Sequence, residues 1–587
     1  MHFITVQTAS ASTSYTLPPS GSWSAFVKRK TIHLPDTLFE QYNRVQCRCF
    51  MGLFPEIDRA WITIDNKLYL WDYVDGIDFA SYEDLPELIV SLGLVKPKPG
   101  VFVDTIKYLL VICTPSTVSL LGLSAADSPS RELALYSTGI SVNTDGVDMV
   151  SVTSTDDGRI FLSGSDSCLY ELNYQAEEGW FKSRCSLTNH SSSAIANFVP
   201  TFLKQSSTDP IIGLAVDDAR NCLYTLSAQS VIELYHLGKD GQGTTKIASA
   251  SEIARQAAML CPGFPQLDQR TFSIKRIFVI SPAESSSVHL VAVTSTGVRL
   301  YFSHHRRSYG FYMAPSPTAA PTGLELLHVR PPPQSDQSTF KNVNSSDSIY
   351  YGHGLYIAAS ANSEEFDSLL CTGQDVGTTG LTIPQQQPTA PTVTTTTSAN
   401  VRPSLVEGAS NLILEGRTWA IGEESGPLAN ASKLPQSMRK GLQGKEQVAM
   451  SELTVQMAYL PRRFLVLTNM GLSVIAKQRP IDILRNILES SSTGSRDQEI
   501  VSFFNNFGKD QSCAMALAIA AGNPVALSMG EDLYPAGSNV VTEPVPPATL
   551  SADITQSARR LFYDFGGKPV SIDRGYPTAA TSMNLDG

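Results

Sequence analysis

Few residues in this chain are spaced for chemistry, and each candidate has a plain structural reading. His304-His305 is the only adjacent pair among nine histidines. With Arg306 and Arg307 it reads as an exposed basic turn rather than a metal site. Gly238-Lys-Asp-Gly-Gln-Gly243 is glycine-rich but lacks the Gly-Lys-Ser/Thr ending of a phosphate-cradling loop, so an inter-blade turn accounts for it. Asp156-Asp157-Gly158 lacks the remaining ligand positions of a calcium loop and reads as a hairpin turn. His-Glu-x-x-His, Gly-x-Ser-x-Gly and Cys-x-x-Cys do not occur. Nine cysteines are scattered, and Cys47-Arg-Cys49 is neither a zinc nor a redox spacing. They read as reduced thiols of a cytosolic or nuclear protein. No catalytic group, metal or cofactor is implied.

One segment stands apart. Ser249-Ala-Ser-Glu252 has the Ser-x-x-Glu form of a capping box. Behind it Ile253, Ala257, Leu260 and Cys261 recur at helical spacing, and Pro262 ends the pattern before Phe264. A thin apolar face among Ser/Thr residues with few charges is the composition of a helix that senses lipid-packing defects. The candidate inserting residues are Ile253, Ala257, Met259, Leu260 and Phe264. The competing reading is a helix that packs on the rim of the domain.

The elements that must position this segment are strands. Val150-Ser-Val-Thr-Ser-Thr-Asp-Asp-Gly-Arg-Ile-Phe-Leu-Ser163 runs on into Gly164-Ser-Asp-Ser-Cys-Leu-Tyr-Glu-Leu-Asn-Tyr174, a β-meander. Related phrases recur, and their hairpins turn near Asn66, Ser116, Gly158, Asn221, Gly297, His353 and Gly471. Asn, Asp and Gly at these turns accept the positive φ of tight hairpins. Seven recurring meanders predict a seven-bladed β-propeller over 36–478. Continuous apolar runs such as Leu109–Cys113, Leu290–Val293 and Phe464–Leu467 are expected as inner strands. Trp61, Tyr69, Trp71, Tyr170 and Trp180 lie in or beside strand phrases and read as inter-blade packing rather than a peptide groove.

Residues 1–35 are Ser/Thr-rich and expected to be a flexible arm. Composition predicts disordered insertions at about 331–348 and 376–405, the second carrying Gln385–Gln387 and Thr394–Thr397. After Arg479 the period changes to helical. Pro480 suits a first helical position, and Ile500, Phe503, Phe504 and Phe507 form an i, i+3, i+4, i+7 stripe. That stripe is expected to pack helices on the propeller. Further helices are expected near 510–521 and 552–565, with a Pro-rich loop at 523–550. The span 479–567 then opens an α-solenoid, followed by a flexible tail at 568–587.

Composition narrows the function classes. A net charge of −11 argues against a protein that grips nucleic acid over its whole surface. No apolar run is long enough to span a bilayer, and the N-terminus lacks the pattern of a signal peptide.

Several long stretches carry a resemblance. Cys47-Arg-Cys-Phe-Met-Gly-Leu-Phe-Pro-Glu-Ile-Asp-Arg-Ala-Trp-Ile-Thr-Ile-Asp65, Gly93-Leu-Val-Lys-Pro-Lys-Pro-Gly100, Thr153–Leu162, Cys168–Phe181 and Gly297–Phe302 resemble the large non-repetitive scaffold nucleoporins. These form the 155/170-kilodalton class of the nuclear pore inner ring. The resemblance runs from about 33 to 567. It implies a seven-bladed propeller followed by an α-solenoid, a non-enzymatic building block located in the nucleus, at the nuclear envelope. The implied partners are other inner-ring scaffold and linker nucleoporins, pore membrane proteins and the curved nuclear membrane, touched peripherally through a propeller loop. No direct nucleic-acid partner and no small-molecule substrate are implied. The chain is far shorter than that family, and its Gln/Thr-rich insertion departs from it.

The expected function is therefore structural: support of pore assembly and of nucleocytoplasmic transport. The first rival is a vesicle-coat subunit, which uses the same propeller-plus-solenoid plan. The second is a propeller enzyme, which needs polar side chains converging on the channel.

Overall fold

The computed structural model describes residues 10–16, 23–125, 133–176, 184–191, 209–238, 241–305, 319–333, 345–377, 406–424, 452–457, 460–490, 493–522 and 552–566. Seven separate sheets, each built on four antiparallel strands, account for the strands. Blade 1 comprises Cys49–Phe54, Arg59–Ile64, Lys67–Asp72 and Phe79–Tyr82. Blade 2 comprises Ser91–Val95, Tyr108–Cys113, Thr117–Ala125 and Leu133–Asn143. Blade 3 comprises Met149–Ser154, Ile160–Gly164, Leu169–Tyr174 and Cys185–Asn189. Blade 4 comprises Ile211–Asp217, Cys222–Ser227, Ile232–His236 and Thr245–Ala250. Blade 5 comprises Ile274–Val279, Leu290–Thr294, Arg299–Ser303 and Glu325–Arg330. Blade 6 comprises Ser345–Gly352, Leu355–Ala361, Phe366–Gln374 and Glu407–Glu415. Blade 7 comprises Thr418–Glu423, Arg463–Thr468, Gly471–Lys477 and, from the other end of the propeller chain, Phe26–His33. Each of the seven anticipated hairpins falls in its own blade.

Two expectations about placement are corrected. From blade 2 round to blade 1, the first strand of each sheet faces the first strand of the next. The runs Leu109–Cys113, Leu290–Val293 and Phe464–Leu467 are second strands, buried on both faces between neighbouring blades. Burial on both faces, not proximity to the axis, makes them continuously apolar. The glycine-rich turn at 238–243 joins the third and fourth strands within blade 4, so it is not an inter-blade turn.

The described part of 1–35, residues 10–16 and 23–35, also differs from the expected arm. Phe26–His33 pairs antiparallel with Gly471–Lys477, from Phe26 opposite Lys477 to His33 opposite Gly471. Ser10–Ala11 adds a fifth, parallel strand to blade 5, and Tyr15–Thr16 does the same to blade 6. The ring is thus closed by its own N-terminal segment, which covers an otherwise unpaired edge. Its outer position explains the polar composition: Lys28, Lys30 and Thr31 face solvent while Phe26 is buried. The predicted insertions lie mostly outside the described residues. The end of the first, 345–348, belongs instead to Ser345–Gly352, the opening strand of blade 6.

The helices are α1 (Asp36–Tyr42), α2 (Ile253–Leu260), α3 (Glu452–Val455), α4 (Pro480–Glu489), α5 (Thr493–Phe507), α6 (Lys509–Ala520) and α7 (Ala552–Gly566). Pro480 opens α4 as expected, and the Asp482 carboxylate accepts from the Arg479 amide at 2.9 Å. The Phe503, Phe504 and Phe507 stripe forms a core with α4, α6 and α7. Phe504 lies 4.4 Å from Phe565, and Trp23, just before the closing strand, meets Phe503 edge-on at 5.9 Å. The stripe packs mainly within the helical unit, and Trp23 ties that unit to the propeller. The 523–550 loop and the 568–587 tail lie outside the described residues.

Candidate interaction surfaces

Helix α2 sits in the connection between blades 4 and 5, directly after the outer strand of blade 4. The anticipated capping box does not form. Ser249 is still in the β-ladder, opposite Glu233, and Ala250 pairs with Ile232. Ladder pairing there displaces the cap. The helix starts instead from Glu252, whose backbone turns left-handed at φ +54°. Glu252 then pairs with Arg255 at 3.1 Å.

The five residues assigned to insertion do not share one exposed face. Ile253 and Ala257 belong to the core between blades 4 and 5, beside Tyr224, Leu234 and Leu300. Leu260 and Phe264 are partly buried against that core. Met259 alone stands out, 68 % exposed. Pro262 and Gly263 are exposed beside it. The amphipathic pattern is real, but most of its apolar face is spent on the propeller core. Burial also raises the pKa of the Cys261 thiol at the end of the helix.

Buried ion pairs fix the blades that carry this loop. Arg159 of blade 3 makes a two-pronged contact with Glu171 at 2.8 and 3.0 Å and donates to the carbonyls of Leu237 and Gly243 in blade 4. Burial would raise the Glu171 pKa, but His190 and Arg159 hold it down to about 2. Between blades 5 and 6, Glu407 accepts from Arg299 at 3.1 and 2.6 Å and lies 3.2 Å from Arg330. Tyr15 joins this cluster, accepting from Arg299 at 3.0 Å and lying under the Arg330 guanidinium at 4.6 Å.

The remaining sequence candidates fall into place. Asp156-Asp157-Gly158 is a hairpin turn, with Gly158 at φ +87° and so close to the Lys98 backbone that a Cβ would meet its nitrogen at 2.5 Å. Trp71 and Tyr69 are buried, Trp61 packs 6.0 Å from Phe54, and Tyr170 donates to Asp166 at 2.6 Å. Trp180 lies outside the described residues. His304 is fully buried, which corrects the exposed-turn reading; it follows a blade 5 strand whose side chains are all inside. Arg306 and Arg307 lie outside the described residues. The first strands of blades 1 to 3 carry no Asp, Glu, His, Lys or Arg. On later first strands, Asp217 is bonded to Arg220 at 2.7 Å and Glu423 to Arg462 at 2.7 Å.

Sequence reasoning missed a crevice where the propeller meets the helices. It encloses about 410 Å³, lined by Trp23, Phe26, Asp375, Lys477, Pro480 and Phe507. The change of period at Arg479 was the available signal for it.

A seven-bladed ring held by buried ion pairs and continued by helices defines the class of propeller-plus-helix proteins. Comparison with known proteins sharpens that class. Residues 22–474 match the nucleoporin N-terminal family, described as Nup133 N terminal like. The chain belongs to this nucleoporin family. It is 34 % identical to a probable nucleoporin of Schizosaccharomyces pombe over 96 % of this chain and 43 % of that protein. It is 34 % identical to the nuclear pore complex protein Nup154 of Drosophila melanogaster, over 84 % of this chain and 35 % of that one. The solved N-terminal domain of Chaetomium thermophilum Nup170, in complex with Nup53, superimposes with a TM-score of 0.77 at 30 % identity. That match covers 96 % of this chain and 74 % of the solved one. The chain spans less than half the length of these curated relatives. Proteins of the nuclear pore, not of vesicle coats, are what it resembles along nearly its whole length, and the coat-subunit reading is not favoured.

Proposed function

We propose that this chain is the propeller end of a non-enzymatic inner-ring scaffold of the nuclear pore complex. The observation that carries the reading is the match to the Nup170 N-terminal domain across 96 % of the chain. Its mechanism is geometric. Interlocked blades give a rigid body, loops on its rim meet partners, and the helices continue the framework. The partners of this reading are scaffold nucleoporins and a linker nucleoporin of the Nup53 kind, the latter supported by the partner in the solved complex. Pore membrane proteins complete the set, with no small-molecule substrate and no direct nucleic acid. The test is a fluorescent fusion of the chain expressed in its own cells, with affinity purification from nuclear envelopes. A nuclear-rim signal and co-purified inner-ring nucleoporins are expected. Cytoplasmic puncta with coat subunits would overturn the reading.

Peripheral contact with the curved pore membrane is part of the proposal, narrowed to the outer corner of α2. Met259 and the Pro262-Gly263 turn are the groups free to enter a packing defect, with Leu260 and Phe264 behind them. Ile253 and Ala257 support the helix from inside. In a vesicle flotation assay, Met259→Asp is expected to reduce binding to small vesicles severalfold with an unchanged melting temperature. Equal flotation of the variant and the parent would remove this part of the proposal.

A further inference from the structure

His289 meets the adjacent pair His304-His305 where blade 5 abuts blade 4. His289 stands one residue before the second strand of blade 5, and His304 and His305 follow the third. The hairpin between those strands brings their ends together, with the His289 amide donating to the Phe302 carbonyl at 2.8 Å. The His289 and His304 rings stack at 3.7 Å, and His305 stands edge-on to both, at 5.1 and 4.4 Å. One ligand atom from each lies within 4.8 Å of the others.

Their hydrogen bonding is one-sided. His304 Nδ1 lies 3.1 Å from the buried Tyr224 hydroxyl. His289 Nδ1 lies 3.3 Å from Ser303 Oγ and accepts from the His304 amide at 3.2 Å. Yet none of the three Nε2 atoms has a hydrogen-bond partner among the described residues. His289 and His304 are 1 % and 0 % exposed. Three ring nitrogens without partners, two of them on fully buried side chains, are costly unless something binds them.

Burial is the largest cause lowering the pKa of all three rings, His304 to about 3, and Arg220 adds to it in each. The Arg220 charge nearby is answered by Asp217 at 2.7 Å.

We propose that His289, His304 and His305 form a binding site for a borderline divalent transition metal, Zn²⁺ foremost, with Tyr224 as the outer partner that orients His304. Imidazole nitrogens suit this class, and Zn²⁺ takes three of them at about 2.0–2.1 Å with a fourth position open. Such bonds place ligand nitrogens about 3.4 Å apart in a tetrahedron, so binding draws the rings inward and opens the His289–His304 stack. On ligation His289 carries its proton on Nδ1, where Ser303 Oγ accepts it, and the bond from the His304 amide is given up. The site pins the two ends of the blade 5 hairpin against blade 4, so its role is to stabilise that junction.

The experiment is metal titration of the tag-free full chain. Zn²⁺ is followed by competition with a chromophoric chelator, and Co²⁺ by its visible spectrum. One equivalent is expected, with tetrahedral Co²⁺ bands, no thiolate charge-transfer band, and a melting temperature that rises with metal concentration. His305→Ala, at the half-buried member, should abolish saturable binding while circular dichroism stays unchanged. Tyr224→Phe should weaken binding about tenfold, as loss of an outer-shell partner does. Absence of saturable binding by the parent chain overturns the proposal whatever the variants do. So does a thiolate band, which would put the metal on a cysteine, or a folded His305→Ala chain that binds as the parent does.

Discussion

Glu407→Ala is expected to cost about 3–5 kcal/mol of stability, the range for removing one partner of a buried ionic group. Arg299 and Arg330 are 1 % and 0 % exposed, and Glu407 is the carboxylate they share. Without it two guanidinium groups remain in the core beside the phenols of Tyr15 and Tyr356. The damage extends beyond the blade 5–6 seam. Arg330 also donates to the Ser14 carbonyl at 2.6 Å, and Tyr15 donates to the Pro331 carbonyl at 2.5 Å. The N-terminal strands on blades 5 and 6 should therefore loosen together. Chemical denaturation of the variant and of Glu407→Gln measures the effect, with Gln retaining an acceptor but no charge. A loss under 1 kcal/mol for both would show that the cluster contributes little.

The same cluster predicts a pH dependence. Burial alone would raise the Glu407 pKa, but Arg299, Arg330 and their hydrogen bonds outweigh it and hold the carboxyl below its ordinary value. A depressed folded pKa means that the stabilisation is fully present above the unfolded carboxylate pKa. It is lost as pH falls through the folded value. Glu171, held down to about 2, has the same sign. The melting temperature should be flat from neutral pH to about pH 5 on these groups' account and fall below about pH 4.5, the ordinary range of carboxylates. Glu407→Ala should flatten part of that fall.

The second large effect concerns closure of the ring. Gly471 lies at φ +150°, and a Cβ there would sit 2.2 Å from the Ile32 carbonyl oxygen and 2.9 Å from the His33 Cα. Neither backbone atom can move without shifting the closing strand. Gly471→Ala is expected to cost about 1–3 kcal/mol in local strain and to speed amide exchange of residues 27–32 well before that of blade 2. Deleting residues 1–33 should be far worse. It exposes the edge of Gly471–Lys477 and removes Phe26, which is 1 % exposed in the core with Phe464 and Ile475. That chain is expected to aggregate, because an unpaired apolar edge templates further pairing. Size-exclusion chromatography reads the outcome, and a monomeric, cooperatively melting deletion chain would refute it.

What was legible in the sequence follows from where each signal is local. Hairpins announce themselves within a dozen residues, because turn chemistry sits between two apolar runs. Asn221 at φ +54° and Gly297 at φ +79° are such marks. Helices α4 to α7 were legible for the same reason: their stripes are periodic. Phe26–His33 was not. Its partner lies more than 400 residues away, and an outer strand with one solvated face has a weak pattern. The missing fourth strand of blade 7 was the only clue to it. The membrane-facing assignment failed in part because an amphipathic pattern does not say what its apolar face meets. For Ile253 and Ala257 it meets blades 4 and 5. The three histidines were hidden because fifteen positions separate His289 from His304, and only the hairpin register makes them neighbours.

The antiparallel pairing of Phe26–His33 with Gly471–Lys477 has a mechanical meaning. The helical extension leaves the propeller from Lys477, so traction along it pulls that strand lengthwise between two ladders, Arg463–Thr468 on one side and Phe26–His33 on the other. Hydrogen bonds loaded that way share the force and must break together, whereas a strand peeled from an edge yields one bond at a time. The chain thus meets tension where it is doubly clasped. A pull on the helices would be borne by a strand clasped on both edges.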